Sequence, residues 1–257
     1  MKKISDILYK KIISLKSLKP SKSTNQTFAS LVSFVLDHQN TVSLNKKQIN
    51  KLQTICSKAE YELERYWVKR ILRSKDSAEE LEKFPYIDNY RKLTQMEWYS
   101  LLSYTTHKSH NVLFAGGGPL PLTAIILAQK YIGKVTVIDT DKHACELATK
   151  LINKIGLDKK INVINADAEG FANYADFNVV MVAALAGVED DTKKKILEKI
   201  KSDSKTNTHI LARSSWGLRE ILYRPIDKDL YKLFNPIVEV RPQNDVVNSV
   251  VIFSNTK

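Results

Sequence analysis

The sequence predicts an α/β fold in which a helical N-terminal half precedes a doubly wound, mostly parallel sheet. Three observations predict it. Apolar residues recur at helical spacing through residues 1–105. From residue 111 onward, short β-rich runs alternate with helical ones. The first of those runs ends in Gly116-Gly117-Gly118, where a doubly wound sheet opens its ligand crevice. At 257 residues the chain is long enough for one large domain or two small ones, and we place the division at residues 1–105 and 106–257.

The elements follow in order. Ile4, Ile7, Leu8, Ile12 and Leu15 predict a first helix, broken by Pro20, Ser21 and Ser23. Thr24 is a candidate cap for the next, which carries Phe28, Leu31, Val32 and Val35. A third helix is expected over 46–73, with Leu52, Cys56, Ala59, Leu63 and Trp67 along one stripe. Phe84-Pro85-Tyr86 is a break, and Tyr90 to Leu102 reads as a further helix. In the second half, strands are expected at 112–115, 135–138, 163–164, 179–182 and 209–212, with helices at 122–131, 143–155 and 192–200. The runs 237–240 and 247–253, on either side of Pro242 to Asp245, predict a closing hairpin. An antiparallel hairpin on a parallel sheet is the class I methyltransferase-like variant of the doubly wound fold.

Composition narrows the function classes. There is no run of eighteen apolar residues, so no membrane span is expected. The N-terminus lacks the apolar stretch and cleavage site of a signal peptide, which predicts a cytoplasmic protein. Cys56 and Cys145 are far apart and outside any C-x-x-C pattern, against a disulfide scaffold or a zinc site. His38, His107, His110, His143 and His209 are spread along the chain, and none is assigned to catalysis or metal. The net charge is +12, and residues 1–75 hold 16 Lys and Arg against 5 Asp and Glu. A nucleic-acid binding module is one reading of that field. The basic residues alternate with apolar ones at helical spacing, however, which favours a solvated helical face and no nucleic-acid partner.

Three successive glycines remove three side chains and let a ligand approach the backbone. A dinucleotide fingerprint would need a third glycine at position 121, where this chain has Pro121. No P-loop Lys-Ser/Thr follows, which argues against nucleoside triphosphates. Asp139 ends the second strand, where a carboxylate takes ribose hydroxyls. Asp167 follows the third, beside the expected place of an adenine. Gly116, Gly117, Gly118, Pro119 and Pro121, with Asp139 and Asp167, therefore fit an adenosyl ligand without phosphates. A structural turn with two capping aspartates is the alternative.

The run Gly116-Gly117-Gly118-Pro119-Leu120-Pro121-Leu122-Thr123 closely resembles the GxGPLP segment of nicotianamine synthases. Met181 to Gly187, Ala212 to Gly217, Ile221-Leu222-Tyr223, Asp245 to Val250, Cys56 to Glu60 and Phe84 to Tyr90 resemble that family in the same order, over nearly the whole chain. The resemblance implies a helical domain capping a Rossmann-like one. It also implies a reaction. An amine attacks the γ-carbon of the methionine moiety of S-adenosylmethionine, methylthioadenosine leaves, and ring closure yields an azetidine; no metal is required. There are two departures: a chain shorter than plant members, and Trp216 where those commonly carry His. They leave open the acceptor and the number of units joined, including single-unit transfer to an amino acid as in opine-type metallophores. A class I methyltransferase is a rival on the same fold, although such enzymes usually carry an acidic residue where this chain has Ala115.

The acceptor amine must be deprotonated, so a base is needed near it. Glu60 and Glu64 share one helix face. The resemblance implies that Glu64 is the proton acceptor and that Tyr90 orients the amine or relays its proton. Pairing of Glu64 with Lys69 or Arg65, and core packing for Tyr90, are the alternatives. Arg213 suits a bidentate grip on a substrate carboxylate or an internal ion pair. Glu97 is a second amine contact or an exposed helical residue. Ala183 and Leu185 would form an apolar wall for the adenine or methylthio group.

Overall fold

The computed structural model describes residues 4–37, 40–107, 109–187, 191–234 and 236–255. His38 lies outside the described residues. The N-terminal half is helical: α1 (Ile4–Ile13), α2 (Lys22–Leu36), α3 (Lys46–Arg73), α4 (Ser77–Glu82) and α5 (Ile87–Leu102). The cap of α2 is Ser21, not Thr24. Its hydroxyl accepts the Thr24 N–H at 3.1 Å, which leaves Thr24 inside the first turn. Helix α3 starts on a reciprocal capping box between Asn45 and Gln48. Its length comes from a continuous buried stripe, Leu52, Cys56, Ala59, Trp67, Val68 and Ile71. The short α4, which periodicity missed, is capped by Asp76.

The second half runs β1 (Val112–Ala115), α6 (Leu122–Lys130), β2 (Val135–Asp139), α7 (Lys142–Lys154), β3 (Ile161–Asn165), β4 (Val179–Val182), α8 (Thr192–Asp203), β5 (His209–Ser214), α9 (Lys228–Phe234), β6 (Pro236–Val240) and β7 (Ser249–Ser254). The seven strands form one sheet in the order β3-β2-β1-β4-β5-β7-β6. Strands β1 to β5 are parallel, whereas β7 runs antiparallel to both β5 and β6. Strands β1 and β4 are buried at every residue, as expected when helices cover both faces.

Hydrophobic cores cross the midpoint of the chain. One joins Trp67, Ile71, Phe84, Trp98 and Leu101 to the sheet residues Phe114, Val137 and Met181. Another joins α1, α2 and the start of α3 to Ile221, Leu222 and Val247. The residue-105 division thus marks a change of secondary structure, while α3 contributes to both cores. Lys10, Lys11, Lys47, Lys51, Lys58 and Lys69 are all exposed, so this part of the basic charge is a solvated surface. No helix among the described residues is long and apolar enough to cross a membrane.

The histidines are less dispersed than the sequence suggests. Chain reversal brings His107 beside His209 at the start of β5, with ring centroids 5.8 Å apart, and His110 stacks edge-on to Trp98. That cluster is at the opposite end of β5 from the strand termini described next. No group of three His, Cys, Asp or Glu residues arranged to hold a metal occurs among the described residues.

Candidate active site

A cavity of 360 Å³ opens beyond the carboxyl ends of β1, β2, β4 and β5, and the glycine turn forms its floor. Gly116 and Gly118 have φ of +84° and +62°, a region that side-chain-bearing residues rarely adopt. Gly117 lies so close to β2 that an added Cβ would be 2.2 Å from Val137 Cγ1. The turn is tied down by Asp139, whose carboxylate accepts the Gly118 N–H at 2.8 Å and the Asp141 N–H at 2.9 Å. Asp139, Asp167, Ala183 and Leu185 all line the cavity, as do the three glycines. Pro119 and Pro121 do not. Both are buried, and Pro121 stands at the entry to α6, where its fixed φ suits the start of a helix.

The roof of the cavity is α3. Tyr61, Glu60 and Glu64 face into it, and the Tyr61 hydroxyl donates to Asp141, the cap of α7. Glu64 is only 9% exposed and sits directly over the turn: a Cβ on Gly118 would be 2.7 Å from Glu64 Oε2. Burial, together with the negative charges of Glu60 and Asp139, raises the Glu64 pKa well above the ordinary range, and the backbone N–H of Leu120 only partly offsets this. Glu60, one turn earlier, is half-buried and opens onto the cavity. Its two oxygens accept the hydroxyls of Tyr90, at 3.1 Å, and Tyr223, at 3.0 Å. Burial raises its pKa too, against the lowering effect of those hydroxyls and of Arg213. Tyr90 thus contacts Glu60, and Glu64 is the carboxylate left facing the turn. Sequence reasoning gave no role to Glu60 or Tyr223. The Cys56–Glu60 and Ile221–Tyr223 blocks contained both, but a contact spanning 163 residues has no local signal.

Arg213 and Glu97 are brought together, and they pair with each other. Arg213 Nε and Nη2 donate to the two Glu97 oxygens at 2.7 and 2.9 Å, and Nη2 also donates to Thr123 Oγ1 at 2.7 Å. Glu97 is fully buried, neither exposed on its helix nor part of the cavity lining, whereas Arg213 does line the cavity. Behind β5, Lys193 is buried and donates to Ala184 O at 2.8 Å and Arg213 O at 3.3 Å, tying the Ala183–Gly187 wall to the end of the strand. Burial, and secondarily the Arg213 charge, lowers its pKa to about 7.

A second cavity of 370 Å³ lies between α2, α3 and α5. Glu60, Glu64, Tyr90, Tyr223 and Asn248 line both cavities and form their common wall. Two chambers meeting at a buried carboxylate can bring two reactants to one proton acceptor.

The family model described as nicotianamine synthase protein matches residues 1–257. The chain belongs to the nicotianamine synthase family. It is 35% identical over 268 residues to nicotianamine synthase 2 of Arabidopsis thaliana, covering 98% of this chain and 82% of that one. It is 30% identical over 256 residues to the nicotianamine synthase of Solanum lycopersicum, covering 95% and 80%. Among solved structures, MtNAS in complex with MTA and tNA superposes with a TM-score of 0.83 at 24% identity, covering 97% of this chain and 96% of that one. The N-methyltransferase NodS from Bradyrhizobium japonicum superposes with a TM-score of 0.51 at 17% identity, covering 66% of this nicotianamine synthase family member and 98% of NodS. The class I methyltransferase-like sheet is therefore shared with MtNAS and with methyl-transferring proteins.

Proposed function

We propose that the protein transfers 3-amino-3-carboxypropyl units from S-adenosylmethionine to an amine acceptor, releasing one methylthioadenosine for each carbon–sulfur bond broken, and closes an azetidine ring where a unit's own amine displaces methylthioadenosine from its γ-carbon. The observation that carries this reading is the placement of Glu64 over the glycine turn, on the wall common to the two cavities, in a chain of this family. The adenosine occupies the first cavity. Asp139 takes the ribose hydroxyls with its remaining lone pairs, Asp167 lies beside the adenine, and Ala183 and Leu185 supply the apolar wall. The sulfonium is already a good leaving group. The amine lone pair forms a bond to the γ-carbon, the carbon–sulfur bond breaks, and its electron pair leaves on neutral methylthioadenosine. The amine proton passes to Glu64, whose raised pKa makes it a better base than an exposed carboxylate. Tyr90 acts through Glu60, holding that second carboxylate beside Glu64. Arg213, fixed by Glu97, presents positive charge to substrate carboxylates. We further infer that the product is a metal-chelating metallophore serving metal homeostasis, made in the cytoplasm from small molecules without nucleic acid or membrane.

Mass spectrometry after incubation with S-adenosylmethionine tests the reading. Methylthioadenosine is expected, together with a product carrying aminocarboxypropyl units. S-adenosylhomocysteine as the nucleoside product would establish methyl transfer instead. Glu64→Gln should bind S-adenosylmethionine nearly as well as wild type and turn over roughly 100-fold more slowly or worse, the scale of a lost general base.

A further inference from the structure

Asn248 immediately precedes β7, on a segment held from several sides. Arg219 donates to Asn244 O at 3.0 Å, Asn89 to Asp245 O at 2.7 Å, and Lys92 pairs with the Asp245 carboxylate. Asn248 is 8% exposed, and its side-chain Nδ2 is buried with no hydrogen-bond partner. Other buried side-chain atoms lack partners, including those of Thr94 and Ser249. Among the described residues, however, Asn248 is the one bearing such an atom that lines both cavities. An unpaired buried donor is costly in the free protein, and is retained where a ligand completes it.

The chemistry of the wall says which ligand atom that is. Among the described lining residues of the two cavities, Arg213 is the one cation, and the hydrogen bonds described above direct its Nε and Nη2 to Glu97 and Thr123. The hydroxyls of Tyr90 and Tyr223 donate to Glu60. Glu60 and Glu64 themselves repel a carboxylate when ionised. An aminocarboxypropyl chain between the two cavities brings a carboxylate to this wall, and the wall has few donors uncommitted. We infer that the Asn248 side-chain amide donates a hydrogen bond to the carboxylate of the aminocarboxypropyl chain. The inference rests on the transfer reading above, and it makes Asn248 a substrate-binding residue that discriminates the donor from the spent nucleoside.

Calorimetry with two ligands tests it. Methylthioadenosine keeps the adenosine and methylthio groups but lacks the carboxylate. Asn248→Leu should weaken S-adenosylmethionine about 10-fold to 100-fold, the scale of a hydrogen bond to a charged group, and leave methylthioadenosine affinity unchanged. Asn248→Asp, which adds a like charge, should weaken S-adenosylmethionine further. Asn248→Leu should melt no lower than wild type, because the lost amide hydrogen had no partner in the free protein. Equal losses for both ligands, or an unchanged S-adenosylmethionine affinity, would overturn the inference while wild type still released methylthioadenosine. A wild-type protein releasing none would instead remove the transfer reading and this inference with it.

Discussion

Glu97→Gln separates an internal ion pair from a substrate contact. The side chains of Arg213 and Glu97 are 6% and 1% exposed, and two short hydrogen bonds join them. Removing one partner of such a pair costs about 3–5 kcal/mol, because the other charge stays buried without compensation. Glutamine keeps one acceptor oxygen and turns its NH2 toward the guanidinium, so the loss should lie near the lower end, about 3 kcal/mol. For a chain of this size that corresponds to a melting temperature lower by about 6–12 °C. Thermal melts followed by circular dichroism read it directly. The double variant Glu97→Leu/Arg213→Met should recover most of the lost stability, since apolar side chains of similar volume often replace a buried pair without cost. If Glu97→Gln melted within about 2 °C of wild type and raised only the KM for the acceptor, Glu97 would be an amine contact and the ion-pair argument would be wrong.

Three further outcomes are expected. Gly117→Ala should lower stability by about 1–3 kcal/mol, the usual cost of overpacking, since its Cβ would meet Val137 at 2.2 Å; thermal melts should show recovery in a Val137→Ala background, and no recovery would place the fault elsewhere. Glu60→Gln removes the like charge that, after burial, raises the Glu64 pKa, so the acidic limb of the pH–rate profile should move to lower pH; an unmoved limb would uncouple the two carboxylates. Glu64 has a raised pKa in the folded state, so the folded protein is penalised as pH rises and the carboxylate ionises while buried; Glu64→Gln should therefore melt higher than wild type in alkaline buffer, with the gap closing toward about pH 4, the unfolded pKa of glutamate. Identical melts across that range would mean that Glu64 is solvated.

Parallel strands were legible because both of their faces are buried: Val112–Ala115 is a continuous apolar run between Asn111 and Gly116, Val179–Val182 is one that follows Asn178, and both have the expected limits. Helix α3 was legible because its stripe is long. Helix α4 was not, since six residues are too few to show a period. Thr24 resembles a cap in sequence, but Ser21 takes the cap because it precedes the first turn. At the candidate site, the glycine turn, Asp139 and the face shared by Glu60 and Glu64 follow from spacing. The partners do not. Arg213 meets Glu97 across 116 positions and Tyr223 meets Glu60 across 163, so nothing local distinguishes a carboxylate that binds substrate from one that fixes a guanidinium. Asn248 shows the same limit, since only the assembled cavities reveal that its amide faces them unpaired.

Helix α3 helps bury apolar side chains on both sides of the chain midpoint and also carries Glu60, Tyr61 and Glu64. A segment packed into two cores in this way is not a module that could be grafted onto another sheet. Its acidic face lies between two anchors, Leu52 and Cys56 in one core and Trp67 and Ile71 in the other. Leu52 and Ile71 are about 28 Å apart along the helix, so a substitution at either anchor is expected to be felt at the carboxylates between them. Variation in this helix is thus expected to be constrained from one anchor to the other.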